Sequence, residues 1–234
     1  VLVIGIIGAV IWKQLRNWRY VAVAVVSSGA LLLTFSRSAW LGATIAAVIT
    51  LAVQLKTARQ RKIAASIAGV LVVVFAATVL TFRHSSVFQN VFAHTETATT
   101  ITTSSNDDHK SALRTGVSQV VHEPFGRGIG TAGPASYYNE QKTRIAENYF
   151  VQIGQEVGWL GVIGFAAICL LVARELWRRR SNQLALGLFA ALIGLTVVNM
   201  LSHAWTDDTL AYIFWGLAGL AIAQPISKNK QQHG

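Results

Sequence analysis

The chain has 234 residues, 53% of them hydrophobic and 13% charged, with a mean hydropathy of +0.46. Soluble domains carry about 25% charged residues, so the deficit excludes an ordinary soluble globule and points to an integral membrane protein. The net charge of +10 would suit nucleic acid if it formed one patch, but the basic residues sit in short clusters between apolar runs, which excludes that partner.

Residues 1 to 12 are apolar but fall short of the roughly 20 needed to cross a bilayer. There is no initial methionine, and the run lacks a signal peptide's charged start and cleavage site. The expectation is a truncated first span in a fragment that lacks N-terminal helices. Lys13, Arg16 and Arg19 follow, then a second span at 18 to 35, interrupted by Ser36-Arg37-Ser38. A third span at 39 to 55 ends in Lys56, Arg59, Arg61 and Lys62, and a fourth at 63 to 82 ends in Arg83-His84. A polar segment follows, with a Thr-rich tract at 95 to 105 that has no helical period. Asn106-Asp107-Asp108 is an N-cap signal. Leu113, Val117, Val120 and Val121 then recur at helical spacing, predicting an amphipathic helix that lies on the membrane surface and stops at Pro124. The stretch FGRGIGTAGP predicts a tight irregular loop. The fifth span, 149 to 173, ends at Arg174 and Arg178-Arg179-Arg180; the sixth covers 184 to 201. A turn at 203 to 208 leads to the seventh, 209 to 223.

Lysine and arginine at 13–19, 56–62, 174–180 and 228–230 fall on one side of the membrane through every crossing. The positive-inside rule makes that side cytoplasmic. The fold is therefore expected to be all-α and polytopic, with about seven transmembrane helices. Helices 1–4 occupy 1–82, an external loop with short amphipathic helices 83–147, helices 5–7 residues 148–223, and a cytoplasmic tail 224–234. Arg37, the loop and the 202–208 turn face outward.

Three motifs carry a resemblance. Ser36-Arg37-Ser38-Ala39-Trp40-Leu41 resembles the SR-x-AWL signature of the bacterial O-antigen ligase and polymerase family. Residues 123–130, EPFGRGIG, are similar to its P-x-x-G-x-G-x-G loop. Asn148-Tyr149-Phe150-Val151-Gln152, followed by Glu156-Val157-Gly158-Trp159-Leu160-Gly161, resembles its HN-x-YLQ…E-x-G-x-x-G helix start. The motifs keep the family's order between residues 36 and 165.

The resemblance implies an inverting, metal-independent glycosyltransferase in the bacterial cytoplasmic membrane, with its site facing outward and no cofactor. The implied partners are a glycan on undecaprenyl diphosphate as donor, a glycan or glycolipid acceptor, and membrane lipid. Such chemistry needs a base for the acceptor hydroxyl and fixed positive charge for the departing diphosphate. Arg37, at the end of an apolar run, is the first candidate for the diphosphate, against the plainer role of a snorkelling interface arginine. Glu147 is the candidate base, where many ligases have histidine; the plain alternative is an acid favoured by a helix N-terminus. An arginine that the family carries before the proline loop falls near His109 or Lys110, with Arg114 five residues beyond His109 and about 140° round the helix. His109 is assigned phosphate binding or proton transfer. Arg114, Arg127, Arg144 and Asn148 are candidate substrate contacts.

Gly128 to Gly133 matches G-x-G-x-x-G, but follows no strand and runs into Pro134, so a dinucleotide fold is excluded. The lone Cys169 and scattered histidines exclude a zinc site. Asn199 and His203, four apart at the end of the sixth span, face one cavity or else make helix–helix hydrogen bonds. Trp159 and Trp205 are expected as interfacial anchors. Two rivals stand beside the enzyme. A flippase of lipid-linked glycans would need similar cations but also paired internal repeats, which are lacking; the other is a non-catalytic scaffold.

Overall fold

A computed structural model describes residues 1–6, 18–60, 62, 66, 105–139 and 143–225. The fourth span, His84, His94, most of the Thr-rich tract, Lys13, Arg16 and the tail lysines lie outside the described residues. Six helices are described: α1 (Trp18–Leu33), α2 (Arg37–Gln54), α3 (Ser105–His122), α4 (Tyr149–Arg178), α5 (Gln183–Leu201) and α6 (Asp208–Ala223). Short 3-10 turns occupy Pro134–Tyr138 and Ala204–Thr206, residues 2–6 are helical, and no strand occurs among the described residues. The protein is an all-helical polytopic membrane protein. Three helices, α2, α4 and α5, are long and apolar enough to cross a bilayer, while α1 and α6 are apolar but only 16 residues each.

Helix α5 is the centre. It is apolar all round and buried along most of its length, as expected of a helix surrounded by others. Its main partner is α2, and small residues set that crossing. A Cβ on Gly42 would lie 2.6 Å from the Gly194 carbonyl oxygen and 2.5 Å from Val198, and one on Gly194 2.3 Å from the Gly42 oxygen. The two backbones touch, as small-residue interfaces in membranes allow. Residues 2–6 cross the same helix at Gly187, again backbone to backbone. Gly42→Leu is expected to overpack this crossing and destabilise the bundle by about 1–3 kcal/mol or more, read as a lowered thermal midpoint in detergent.

Leu176, Leu188, Leu192 and Phe214 are fully buried between α4, α5 and α6. Trp205 joins them at 5% exposure, 5.1 Å from the Phe214 ring and 5.4 Å from Trp215. The expectation that Trp205 anchors at the interface is therefore corrected: the 3-10 turn folds it back under α6. Trp159 remains half-exposed.

Helix α3 ends where Pro124 requires. Only part of its apolar stripe packs inside the protein. Gly116 and Val120 are buried, whereas Leu113, Val117 and Val121 are 38–59% exposed. Gly116 lies against Ala146 and Val151, and Val120 against Gly154. Gln155 Nε2 donates to Gln119 Oε1 at 2.6 Å. Close approach at Gly116 and Gly154 sets the face that meets α4.

Candidate active site

Helix α4 does not run straight from its start. Gly158 has φ 76° and ψ −169°, which divides it into 149–157 and 159–178. The break releases backbone groups that the glycine loop satisfies. Arg127 N donates to Gln155 O and Gly128 N to Glu156 O, both at 2.9 Å, while Trp159 N donates to Pro124 O at 3.0 Å. Glu156 Oε1 accepts from Gly130 N at 3.2 Å. The P-x-x-G-x-G-x-G and E-x-G segments are thus two halves of one interlock. Glycine at 126 is required by contact: its Cβ would sit 2.5 Å from the Glu156 carbonyl.

Beyond the loop, Glu123 gathers two cations. Arg144 donates to it from Nη1 at 2.7 Å and Nη2 at 3.3 Å, and Arg127 Nη2 lies 2.5 Å away. Hydrogen bonding from Arg144, with Arg127 behind it, holds the Glu123 carboxyl at about 2, from an ordinary 4.5. The Arg144 side chain is 10% exposed. Arg127 and Arg144, expected at the substrate, both pair with Glu123 at the loop. Because the folded state holds its proton less tightly than the unfolded chain, the clamp's contribution is whole above about pH 4.5 and is lost as pH falls through about 2. Glu123→Gln is expected to destabilise the loop by about 1.5–3 kcal/mol, the worth of charged hydrogen bonds. The check is faster limited proteolysis between residues 124 and 139 at neutral pH.

One end of the bundle carries the site. Ser36 caps α2, its Oγ accepting from Ala39 N at 3.3 Å, so Arg37 is the first helical residue. Trp40 Nε1 donates to Leu31 O at 2.8 Å, a carbonyl at the end of α1 that also accepts from Thr34 N and Thr34 Oγ1. At α4 the cap is Asn148: Oδ1 accepts from Val151 N at 3.0 Å, and Nδ2 donates to Met200 O at 2.9 Å. Tyr149 N donates to Ser202 O at 3.0 Å. Asn148, a candidate substrate contact, ties the start of α4 to the end of α5.

These ties enclose a cavity of about 640 Å³, within the usual range for a ligand site. Phe35, Ser36, Arg37 and Ser38 line it from the α1–α2 junction, and His109, Lys110 and Leu113 from α3. Ala146 and Glu147 line it from before α4, and Met200 to His203 from the end of α5. Arg37, His109 and Glu147 therefore share one cavity. His109 Nδ1 and the Glu147 carboxylate meet there. Arg114 is exposed and does not line the cavity. His109, Leu113, Gly116 and Val120 recur at helical spacing towards α4, and a residue five beyond His109 is turned about 140° from it.

Sequence reading passed over the backbone strain at this site. Phe35 and Glu147 have φ of 50° and 51°, the non-glycine residues with left-handed backbone among those described, and both line the cavity. Such conformations cost about 1–3 kcal/mol each and concentrate where surrounding structure needs them. His203 also lines the cavity, while Asn199 does not. Asn199 is fully buried, donating to Leu195 O at 2.7 Å and accepting from Trp205 N at 3.0 Å. The signal for His203 was its place in the turn on the same side as Arg37. Burial pushes its imidazole below the ordinary 6.5, which favours the neutral form.

Among known proteins, the family model described as O-antigen ligase matches residues 22–166, a stretch that contains the capped arginine, the loop interlock and Glu147. The chain belongs to the O-antigen ligase family. No curated protein and no solved structure matches it. In this family member the matched stretch supplies Arg37, His109, Lys110 and Glu147, while Met200 to His203 lie beyond it. Membership supports membrane glycan processing of the ligase or polymerase type, with a lipid-linked glycan and an acceptor as partners.

Proposed function

We propose that this protein transfers a glycan from undecaprenyl diphosphate to a sugar hydroxyl, with inversion and without a metal. The observation that carries it is the shared cavity: Arg37, Lys110 and the Glu147–His109 pair meet at one end of the membrane bundle. Arg37 is the first residue of α2, so its guanidinium adds to the partial positive charge of that helix end. With Lys110 it would hold the diphosphate and take up charge as the anomeric C–O bond breaks. The Glu147–His109 pair would take the proton from the acceptor oxygen as that oxygen attacks the anomeric carbon from the opposite face. Both electrons of the broken bond stay with the lipid diphosphate.

Orientation follows the charge pattern. The cavity lies at the start of α4, and Arg174 and Arg178 to Arg180 at its far end. Residues 159–178 would span about 30 Å, the thickness of a hydrocarbon core. The basic end belongs on the cytoplasmic side by the positive-inside rule, which puts the cavity outside, in the cytoplasmic membrane of a bacterium. The proposed layout keeps 83–147 as the external loop and 224–234 as the cytoplasmic tail.

Reconstitution tests it. Purified protein in vesicles, given undecaprenyl diphosphate-linked glycan and a glycan acceptor, is expected to yield extended product equally with and without chelator. Donor that crosses the vesicle without product would indicate a flippase, and loss of product with chelator would overturn the metal-free mechanism.

A further inference from the structure

We infer that the atom receiving the acceptor's proton is His109 Nε2, and that Glu147 is a positioning residue holding that imidazole. This deepens the proposed transfer reaction and rests on it. Glu147 occupies the junction before α4, where a base was expected, but its carboxylate is directed at His109 Nδ1. A carboxylate on Nδ1 fixes the tautomer with its proton there and leaves Nε2 as the basic nitrogen for the substrate. His109 lines the cavity and its side chain is 46% exposed, so that nitrogen is reachable.

The backbone is arranged for this contact from both sides. Ala146 is buried against Gly116, two turns along α3 from His109, and Asn148 is pinned by its cap and by Met200. Between these anchors Glu147 is held at φ 51°. Such a conformation persists where the surrounding structure determines it. In the step, the acceptor O–H proton moves to Nε2 and the oxygen bonds to the anomeric carbon. The anomeric C–O bond breaks, with its electron pair leaving on the diphosphate. The imidazolium is stabilised by Glu147 and returns its proton to solvent.

The charged and titratable groups facing His109 are Glu147 before α4, Arg37 from α2, Lys110 beside it on α3, and His203 after α5. The test is transfer by purified, monodisperse full chain as a function of pH, with wild type, His109→Ala, Glu147→Gln and His203→Gln. Wild-type kcat/KM is expected to rise through the range where imidazoles titrate, not the more acid range of carboxylates. His203→Gln should keep that limb. His109→Ala should lose about 10²–10⁴-fold in kcat and regain part of it with added imidazole. Glu147→Gln should lose rate but keep an imidazole-range limb. A limb in the carboxylate range, or an unrescued His109→Ala beside a wholly inactive Glu147→Gln, would make Glu147 the base and overturn the assignment. Loss of the limb in His203→Gln would move the base to that residue. Absence of any wild-type transfer would instead sink the transfer reaction itself.

Discussion

Arg37→Lys is expected to lower the transfer rate by about 10²–10³-fold while the protein purifies and melts as wild type does. The magnitude is that of removing one preorganised donor from a developing anion. Charge is conserved by the substitution, so a loss isolates geometry. Arginine presents a planar fork that meets two phosphate oxygens at once, whereas lysine is a point charge on a flexible stem. The site makes the difference felt, because Ser36 fixes where α2 begins and Trp40 ties that beginning to Leu31 of α1. The stem of residue 37 thus leaves from a determined place at the cavity edge. The measurement is kcat and donor KM on purified variant. Turnover within about threefold of wild type would remove Arg37 from the diphosphate and leave it the ordinary work of a snorkelling side chain.

The positions of the apolar helices were legible because they depend on composition and length alone. The second, third, fifth, sixth and seventh expected spans correspond to α1, α2, α4, α5 and α6 within a few residues. Arg37, His109 and Glu147 were legible as candidates because each stands at the end of an apolar run or a helix start. Where charges pair was not legible. Arg127, Arg144 and Asn148 had the right chemistry for a phosphate, but Glu123 and the backbone of α5 use them within the protein. A sequence shows a cation, not whether a carboxylate is already seated beside it. Arg114 was separated from His109 by helix rotation, a distinction that spacing contained but could not settle without knowing which face met α4.

Strain was hidden for a related reason. Nothing about Phe35 or Glu147 as residue types suggests a left-handed backbone, since glycine or asparagine would be the usual choice. Both conformations are consequences of what stands on either side: the α1 end and the Ser36 cap for Phe35, and Ala146 and Asn148 for Glu147. The same holds for Trp205, whose chemistry suits an interface but whose turn is drawn inward by Asn199.

Gly158→Ala is expected to destabilise the protein by about 2–5 kcal/mol and to cut transfer with it, although residue 158 does not line the cavity. Two independent costs combine. With φ 76° and ψ −169°, the position lies in a region that essentially only glycine occupies, at about 1–3 kcal/mol for another residue. A Cβ there would also stand 2.2 Å from the Pro124 carbonyl oxygen and 2.7 Å from Phe125 Cα, which are backbone atoms without a rotamer to yield. Relief requires the loop to lift away, which breaks Trp159 N to Pro124 O and its neighbours at Gln155 and Glu156. Lifting would also draw on Glu123, which begins the loop and binds Arg144, three residues before Glu147. Activity should therefore fall through displacement of Glu147, with kcat affected more than donor KM, because Arg37 sits on a different helix. Thermal unfolding, loop proteolysis and initial rates on one preparation check the chain of effects. A stable Gly158→Ala with an intact loop would show that α4 straightens there at little cost, and a stable but inactive one would bring residue 158 itself to the substrate.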